Sequence, residues 1–287
     1  MTIHIMKIFK DSFKNVWNLK LEWIRVACAP FIIWIAGMLY MVIAYASVSQ
    51  SLQLHEIITG KMINMEFTEK NQFLIGSANI VYLITYFIAL INLSINGFRY
   101  AVLQEGGNRW LTLNLNWRFV KTILYSLLIA ILAGIYFLIA GGVTIGTQFL
   151  IESKDLMGII GALFVIYAIY LFTRIGLIGL LISIDQRAPL KTSWYLLKGN
   201  VLRLFVLLFL IGIAFVLLAL IGMALLGILG WTINLWLNWP PMILVSLFGL
   251  LMWFFNWAVS SKALALVYNT VTKEERESNK QEGVFYA

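Results

Sequence analysis

The chain has 287 residues, of which 61% are hydrophobic, with a mean hydropathy of +0.88 and a formal net charge of +8. A water-soluble protein of this length could not bury that much apolar surface, so the composition excludes a soluble globular protein. The positive charge does not indicate nucleic-acid binding, because the basic residues alternate with apolar stretches and form no basic domain.

Long apolar stretches predict an all-α membrane protein with six transmembrane helices, since each stretch reaches the roughly 18 residues that mark a span. The predicted spans cover about 26–48, 74–103, 119–141, 156–184, 201–229 and 242–271. Together they form a single membrane domain, residues 1–272. The charged tail that follows, residues 273–287, is expected to be disordered.

A short basic stretch precedes each odd-numbered span. In IMKIFKDSFKNVW, apolar residues recur at helical spacing opposite three lysines, which predicts an amphipathic helix. PLKTSWYLLKGN predicts a second one, with Pro189 in its first turn and Gly199 past its end. The middle stretch, LTLNLNWRF, alternates with a period of two and fits an extended segment, with Asn116 as a candidate helix cap. The simplest arrangement is three hairpins, each with a short cytoplasmic segment, a span out and a span back.

The distribution of cationic residues predicts the orientation in the membrane. Of the 21 lysines and arginines, 18 belong to segments on the same side as the N-terminus. The opposite side receives Lys61, Lys70 and Lys154. By the positive-inside rule, both termini are therefore predicted to lie in the cytoplasm.

Arg174 is the one charge between Leu156 and Ile184. It comes 18 residues after Leu156, about 27 Å along a helix, so it is predicted near the inner headgroups of a bilayer whose core is about 30 Å thick. The apolar turns that follow, IGLIGLLISI, and the matching ALALVYNTV of the sixth span would then extend beyond the membrane. The two amphipathic helices are the predicted covers for them.

Cations and amide side chains recur near the cytoplasmic ends of the even-numbered spans. The candidate site residues are Arg99, Arg174, Lys262, Asn92, Asn96 and Asn256. If their faces converge, they line an inward-facing pocket suited to an anionic lipid headgroup. Alternatively, each cation extends separately to anionic lipid while the asparagines form interhelical hydrogen bonds.

The sequence offers no catalytic or metal-binding pattern. Its two histidines, His4 and His55, are predicted on opposite sides of the membrane, and no aspartate or glutamate lies firmly within a span. No glycine-rich phosphate loop is present. We therefore expect a protein that is not an enzyme and that has no metal or cofactor.

Residues 174–205 carry a resemblance to a known family. Arg174, the apolar run, the break DQRAP, the segment LKTSWYLLKGN and the next span follow in an order that resembles bacterial six-helix membrane proteins similar to the membrane domain of certain glycerophosphodiester phosphodiesterases. IFKDSFKNVW also resembles the amphipathic start of that family. The resemblance implies a six-helix module in the bacterial inner membrane that is linked to lipids or envelope homeostasis. No phosphodiesterase domain is present, so the enzymatic activity is not implied.

The sequence thus favours a membrane protein that binds or organises anionic lipid, or a protein partner, at the cytoplasmic face. A second copy of the chain is a further candidate partner, whereas nucleic acid is not. The alternative is a transporter or channel component that uses the polar inner half of the bundle. Six spans and a repeated layout support transport, but no span carries a carboxylate or a helix break at mid-depth to couple an ion.

Overall fold

The computed structural model describes residues 3–48, 69–151, 154–237 and 241–281, and within these ranges it contains nine helices and no strand. The helices are α1 (Ile5–Asn18), α2 (Lys20–Val48), α3 (Glu69–Leu103), α4 (Trp117–Ile151), α5 (Lys154–Arg174), α6 (Ile178–Ser183), α7 (Pro189–Leu196), α8 (Val201–Leu237) and α9 (Pro241–Gln281). Over the described ranges, six helical segments are long and apolar enough to cross a membrane. The prediction of an all-α protein with six spans is confirmed.

Consecutive spans pack as three hairpins, in which α2 pairs with α3, α4 with α5, and α8 with α9. Helix α9 also packs against α3, which joins the first and last hairpins. The middle hairpin is the least buried of the three. In the most apolar stretch of α4, and in that of the span that contains α5, 6% of the residues are buried inside the protein. The corresponding share in the other four spans is 17–39%.

The main core lies at one end of the bundle, called here the basic end, where buried residues of α1 and of 177–201 cluster with the adjacent parts of α2, α3, α8 and α9. Trp23 of α2 forms edge-to-face contacts with Tyr100 of α3 and Trp257 of α9, at ring-centroid distances of 4.9 and 5.5 Å. Helix α1 packs on α8 and α9, and its Phe13 stacks on Phe215 at 5.4 Å. The predicted amphipathic helix at the N-terminus therefore covers the end of the bundle.

The fourth span is not one continuous helix, although its predicted extent is close to the one observed. Helix α5 ends at Arg174, the chain turns at 175–177, and α6 follows. A Cβ atom on Gly176 would lie 3.0 Å from the carbonyl oxygen of Thr173, so the tight turn favours glycine. The turn redirects the apolar residues of α6 against α3 and α7, where Leu180 and Leu181 are fully buried. The turns that were expected to extend from the membrane thus become part of the core.

The last helix is longer than predicted. Helix α9 continues to Gln281, so the tail that was expected to be disordered from residue 273 is helical as far as that residue. Its sequence in this part, KEERESNKQ, is rich in lysine, glutamate, arginine and glutamine, which are good helix formers. Residues 282–287 lie outside the described ranges.

Candidate functional site

The site is built where the chain leaves α3 at the basic end. Gln104 and Gly106 have positive φ angles of 59° and 91°, and these left-handed conformations end the helix and turn the chain back. Gly107 then packs closely against α2 and α3, because a Cβ atom there would lie 2.8 Å from the Tyr100 ring and 3.0 Å from a carboxylate oxygen of Glu22. Residues 104–116 therefore fold back onto the bundle.

Two asparagines of α3 fix the returning segment. The backbone N–H of Asn114 donates to Oδ1 of Asn92 at 2.7 Å, and Nδ2 of Asn114 donates to Oδ1 of Asn96 at 2.5 Å. Nδ2 of Asn96 donates in turn to the carbonyl oxygen of Thr112 at 2.8 Å. Asn92 lies eleven residues before Leu103, so the segment reaches about 16 Å back along the helix.

The alternation in LTLNLN separates two faces of this segment. Thr112 and Asn114 face α3, whereas the large apolar residues between and beside them point outward. The exposed apolar edge consists of Trp110, Leu111, Leu113, Leu115 and Trp117, with Leu111 the most exposed at 73%. The segment is hydrogen-bonded to α3, and its exposed apolar edge is suited to contact lipid.

A polar cleft of about 450 Å³ opens between the end of α3, the returning segment and the start of α4. Three arginines line it: Arg99, Arg109 and Arg118, together with Asn96, Thr112, Asn114, Glu105 and neighbouring residues of the connection. We call it the arginine cleft. The hydroxyl of Thr112 is buried and has no hydrogen-bond partner in the described part of the chain.

Carboxylates hold two of these arginines in place. Arg118 binds Asp185 through Nε at 2.9 Å and Nη2 at 2.6 Å. Arg99 pairs with Glu105, lies 3.7 Å from Asp185 and donates to the carbonyl oxygen of Ser183 at 2.8 Å. The hydrogen bonds from Arg118 hold the pKa of the Asp185 carboxyl below its usual range, and the charges of Arg118, Arg99 and Lys121 add to this effect against partial desolvation.

Arg109 is different, because it is exposed and makes no ion pair with any residue that the structure describes. The Arg109 guanidinium is available to a ligand, whereas the guanidinium groups of Arg99 and Arg118 are already paired with carboxylates. Guanidinium groups bind phosphate and carboxylate oxygens with paired N–H donors. The arrangement can therefore hold an anion whose charge is shared among several donors.

The structure does not bring all six predicted site residues together. Asn96 and Arg99 line the cleft, and Asn92 anchors its wall from behind. Lys262 donates to the carbonyl oxygen of Ala101 at 3.3 Å, which satisfies the last turn of α3. Asn256 accepts a long hydrogen bond of 3.5 Å from the Ser260 hydroxyl of its own helix.

Arg174 also lies outside the cleft. Its guanidinium sits over the ring of Trp194 with a distance of 3.9 Å to the centroid. It donates to the hydroxyl of Tyr170 at 2.6 Å and to the carbonyl oxygen of Trp194 at 3.3 Å. Arg174 and Lys262 therefore do not join Arg99 in the arginine cleft, and each of them ties neighbouring helices together instead.

Sequence reasoning missed most of the cleft. Arg109 and Arg118 are two of the 18 cationic residues predicted on the side of the N-terminus, with no further role, and Thr112 and Asn114 belong to the stretch LTLNLNWRF, for which no site is predicted. The signal that could have identified them is the period-two alternation, which places the polar residues of the segment on one face. Asn116 was predicted to cap the next helix, and it does so: its side chain accepts from the backbone N–H of Arg118 at 3.1 Å.

The described residues contain no group of three or more His, Cys, Asp or Glu side chains that could hold a metal ion. In comparisons with known proteins, no family model, no curated protein and no solved structure matches the chain. The fold and the site together define the class: an all-α, multi-pass membrane protein with an arginine-lined cleft at one end of its bundle.

Proposed function

We propose that this protein binds the headgroup of an anionic phospholipid in the arginine cleft, at the cytoplasmic face of a bacterial inner membrane, and that it does so without catalysis. The observation that carries the proposal is the position of a polar cleft with three arginines directly beside an exposed apolar edge. A phospholipid has the same two parts, a charged headgroup joined to apolar chains.

The chemistry of the cleft suits a phosphate group. Arg109 offers unpaired N–H donors, and the Thr112 hydroxyl is a further polar group that a ligand could engage. Charge-assisted hydrogen bonds of this kind are stronger than those between neutral groups. The exposed edge at Trp110, Leu111 and Leu113 would meet the apolar chains, since Trp residues concentrate at headgroup level.

The orientation rests on charge. Assigning 18 of 21 cationic side chains to the basic end favours a cytoplasmic location for it, where the leaflet carries anionic lipid. The resemblance of residues 174–205 to a lipid-linked bacterial membrane family also favours lipid binding at the inner membrane, and this resemblance stays a prediction.

The transport alternative gains no support from the polar residues it relied on. Asn92 and Asn96 are 0% and 4% exposed, and their side chains are hydrogen-bonded to Asn114, Thr112, Ile88 and Val26. Polar groups engaged in this way anchor the returning segment rather than face an open path.

The proposal is tested by thermal unfolding of the purified protein in a neutral detergent with increasing amounts of short-chain phosphatidylglycerol or phosphatidylcholine. A ligand that binds the folded state alone stabilises it by about 2.7 kcal/mol at 100 times its dissociation constant, so Tm rises with concentration. We expect a rise with phosphatidylglycerol that is clearly smaller in Arg109→Gln. Arg187→Gln, an exposed cation of the basic end outside the cleft, is the matched control and keeps the rise. Equal shifts with both lipids, or an unchanged response in Arg109→Gln, would rule the proposal out.

A further inference from the structure

An apolar groove of about 450 Å³ lies between the two helices of the middle hairpin, on the side where α7 crosses their basic end. Its walls come from α4 and α5, among them Leu128, Leu132, Ala133, Ala168 and Leu171. Along α4 it extends from Leu128 to Tyr136, about 12 Å. It shares no lining residue with the arginine cleft.

Helix α7 closes the basic end of this groove. Leu190, Lys191 and Trp194 of α7 contribute to its lining. Arg174 fixes that helix in place through its stacking on Trp194, and the Ser193 hydroxyl donates to the carbonyl oxygen of Arg174 at 3.0 Å. The closed end is therefore held by specific contacts and carries one cation, Lys191, whereas the remainder of the groove is largely apolar.

The surroundings of the groove favour one kind of occupant. The groove walls belong to two candidate membrane spans, so it opens toward lipid hydrocarbon. Lys191 lines the groove at its closed end, is exposed and has no ion-pair partner among the described residues. An apolar channel that ends at unneutralised positive charge complements a lipid with an apolar chain and an anionic headgroup.

We propose that this groove is a second lipid site, which holds one acyl chain of an anionic phospholipid with its headgroup at Lys191. The site is independent of the arginine cleft and of the function proposed for it. It gives the middle hairpin, which makes few contacts with the other helices, a bound lipid as its packing partner. The volume falls within the roughly 300–1,000 Å³ that is usual for small-molecule sites.

A second groove provides an internal comparison. It lies between α5 and α8, has a volume of about 500 Å³ and is also apolar, with Ile166, Leu202 and Phe205 in its lining. No lysine or arginine lines it. A lipid that fills any available apolar surface would enter both grooves, whereas an anionic lipid that recognises Lys191 would prefer the first.

The test is photolabelling of the full-length protein in phosphatidylcholine vesicles that contain a trace of phosphatidylglycerol with a diazirine in the middle of one acyl chain. Labelled peptides are located by mass spectrometry. We expect labelling of the wild-type protein to concentrate on the α4–α5 groove over the α5–α8 groove by about tenfold, equivalent to about 1.4 kcal/mol of preference. A phosphatidylcholine probe of the same chain should show no such concentration.

Variants separate this site from the general lipid surface. Ala133→Phe fills the groove and should reduce its labelling about tenfold, which is the loss of the same preference. Ala130→Phe places the same ring on an exposed position of α4 outside the groove and should leave the labelling unchanged. Lys191→Gln should abolish the preference for the anionic probe, and Arg109→Gln should not affect it.

The wild-type result alone can overturn the proposal, so it does not depend on the variants folding. Labelling spread evenly over both grooves, or equal labelling by both probes, contradicts it. So does an Ala133→Phe protein with a native size-exclusion profile and undiminished labelling. Loss of the groove signal in Arg109→Gln would show that the two sites are not independent.

Discussion

Asn96 donates a hydrogen bond to a backbone carbonyl oxygen of α2 that a proline leaves without its usual helical partner. Pro30 lies inside α2 and has no N–H, so the carbonyl oxygen of Val26 lacks its usual partner four residues along the helix. Nδ2 of Asn96 donates to this oxygen at 3.2 Å. The same side chain binds Thr112 and Asn114, so it supports both α2 and the wall of the arginine cleft.

The expected loss of stability in Asn96→Leu follows from the three hydrogen bonds that the Asn96 side chain makes. Each contributes about 0.6–1 kcal/mol, taking the averages for membrane and soluble proteins, so Asn96→Leu should destabilise the protein by about 2–3 kcal/mol. In a Pro30→Ala background, a backbone N–H at position 30 can donate to the Val26 oxygen. The cost of Asn96→Leu should then fall by about 0.6–1 kcal/mol, the contribution of one bond.

The assay is a double-mutant cycle that compares the free energies of unfolding of the wild type, both single variants and the double variant in mixed detergent micelles. Asn256→Leu is the control, because within the described residues Asn256 makes no hydrogen bond to α2, so this change should combine additively with Pro30→Ala. Additivity of the Asn96 pair to within about 0.3 kcal/mol would refute the reasoning, since independent sites add to that extent.

Three further predictions concern stability and orientation. Asp185→Asn removes the carboxylate bound by Arg118 and should lower stability at neutral pH by at most about 1 kcal/mol, because the Asp185 side chain is 51% exposed. The pKa of Asp185 is depressed in the folded state, so the stability that its carboxylate contributes is present above about pH 4 and is lost as the pH falls. The Tm values of the wild type and the variant should therefore converge in acid, and a gap that stays constant with pH would contradict this. Gly97→Ala would overlap the ring of Trp257 and should cost about 1–3 kcal/mol in chemical unfolding, whereas Gly134→Ala, with open space around it, should be close to neutral; equal effects would count against the packing described. A fluorescent reporter fused to either terminus should report a cytoplasmic location, and an external location for either one would reverse the assigned orientation.

The spans and the amphipathic covers could be predicted from the sequence because they depend on one-dimensional patterns. Uninterrupted apolar length marks a span, and apolar residues at helical spacing mark α1 and α7. The turn after Arg174 could not be predicted in this way. It separates two apolar helices, and what favours it is the burial of Leu180 and Leu181 against α3, a contact between distant parts of the chain.

The site was predicted less completely for a related reason. Cations near the ends of three spans were expected to converge, but convergence depends on which way each helix face turns. Lys262 instead donates to a carbonyl oxygen of α3, and Arg174 stacks on the ring of Trp194. The cleft instead uses a connection between two spans, whose path is set by hydrogen bonds from Asn114 to Asn92 and Asn96. Those contacts cross eighteen to twenty-two positions, and no local propensity encodes them.

The central claim is that the arginine cleft holds an anionic headgroup, and native mass spectrometry of the protein released from lipid nanodiscs tests it most directly. The nanodiscs would contain equal amounts of phosphatidylglycerol and phosphatidylcholine, and the lipids that remain bound would be counted. The wild type and Arg187→Gln should retain phosphatidylglycerol in preference to phosphatidylcholine, and Arg109→Gln should retain one fewer phosphatidylglycerol molecule. The same number and kind of retained lipids in Arg109→Gln as in the wild type would contradict the assignment.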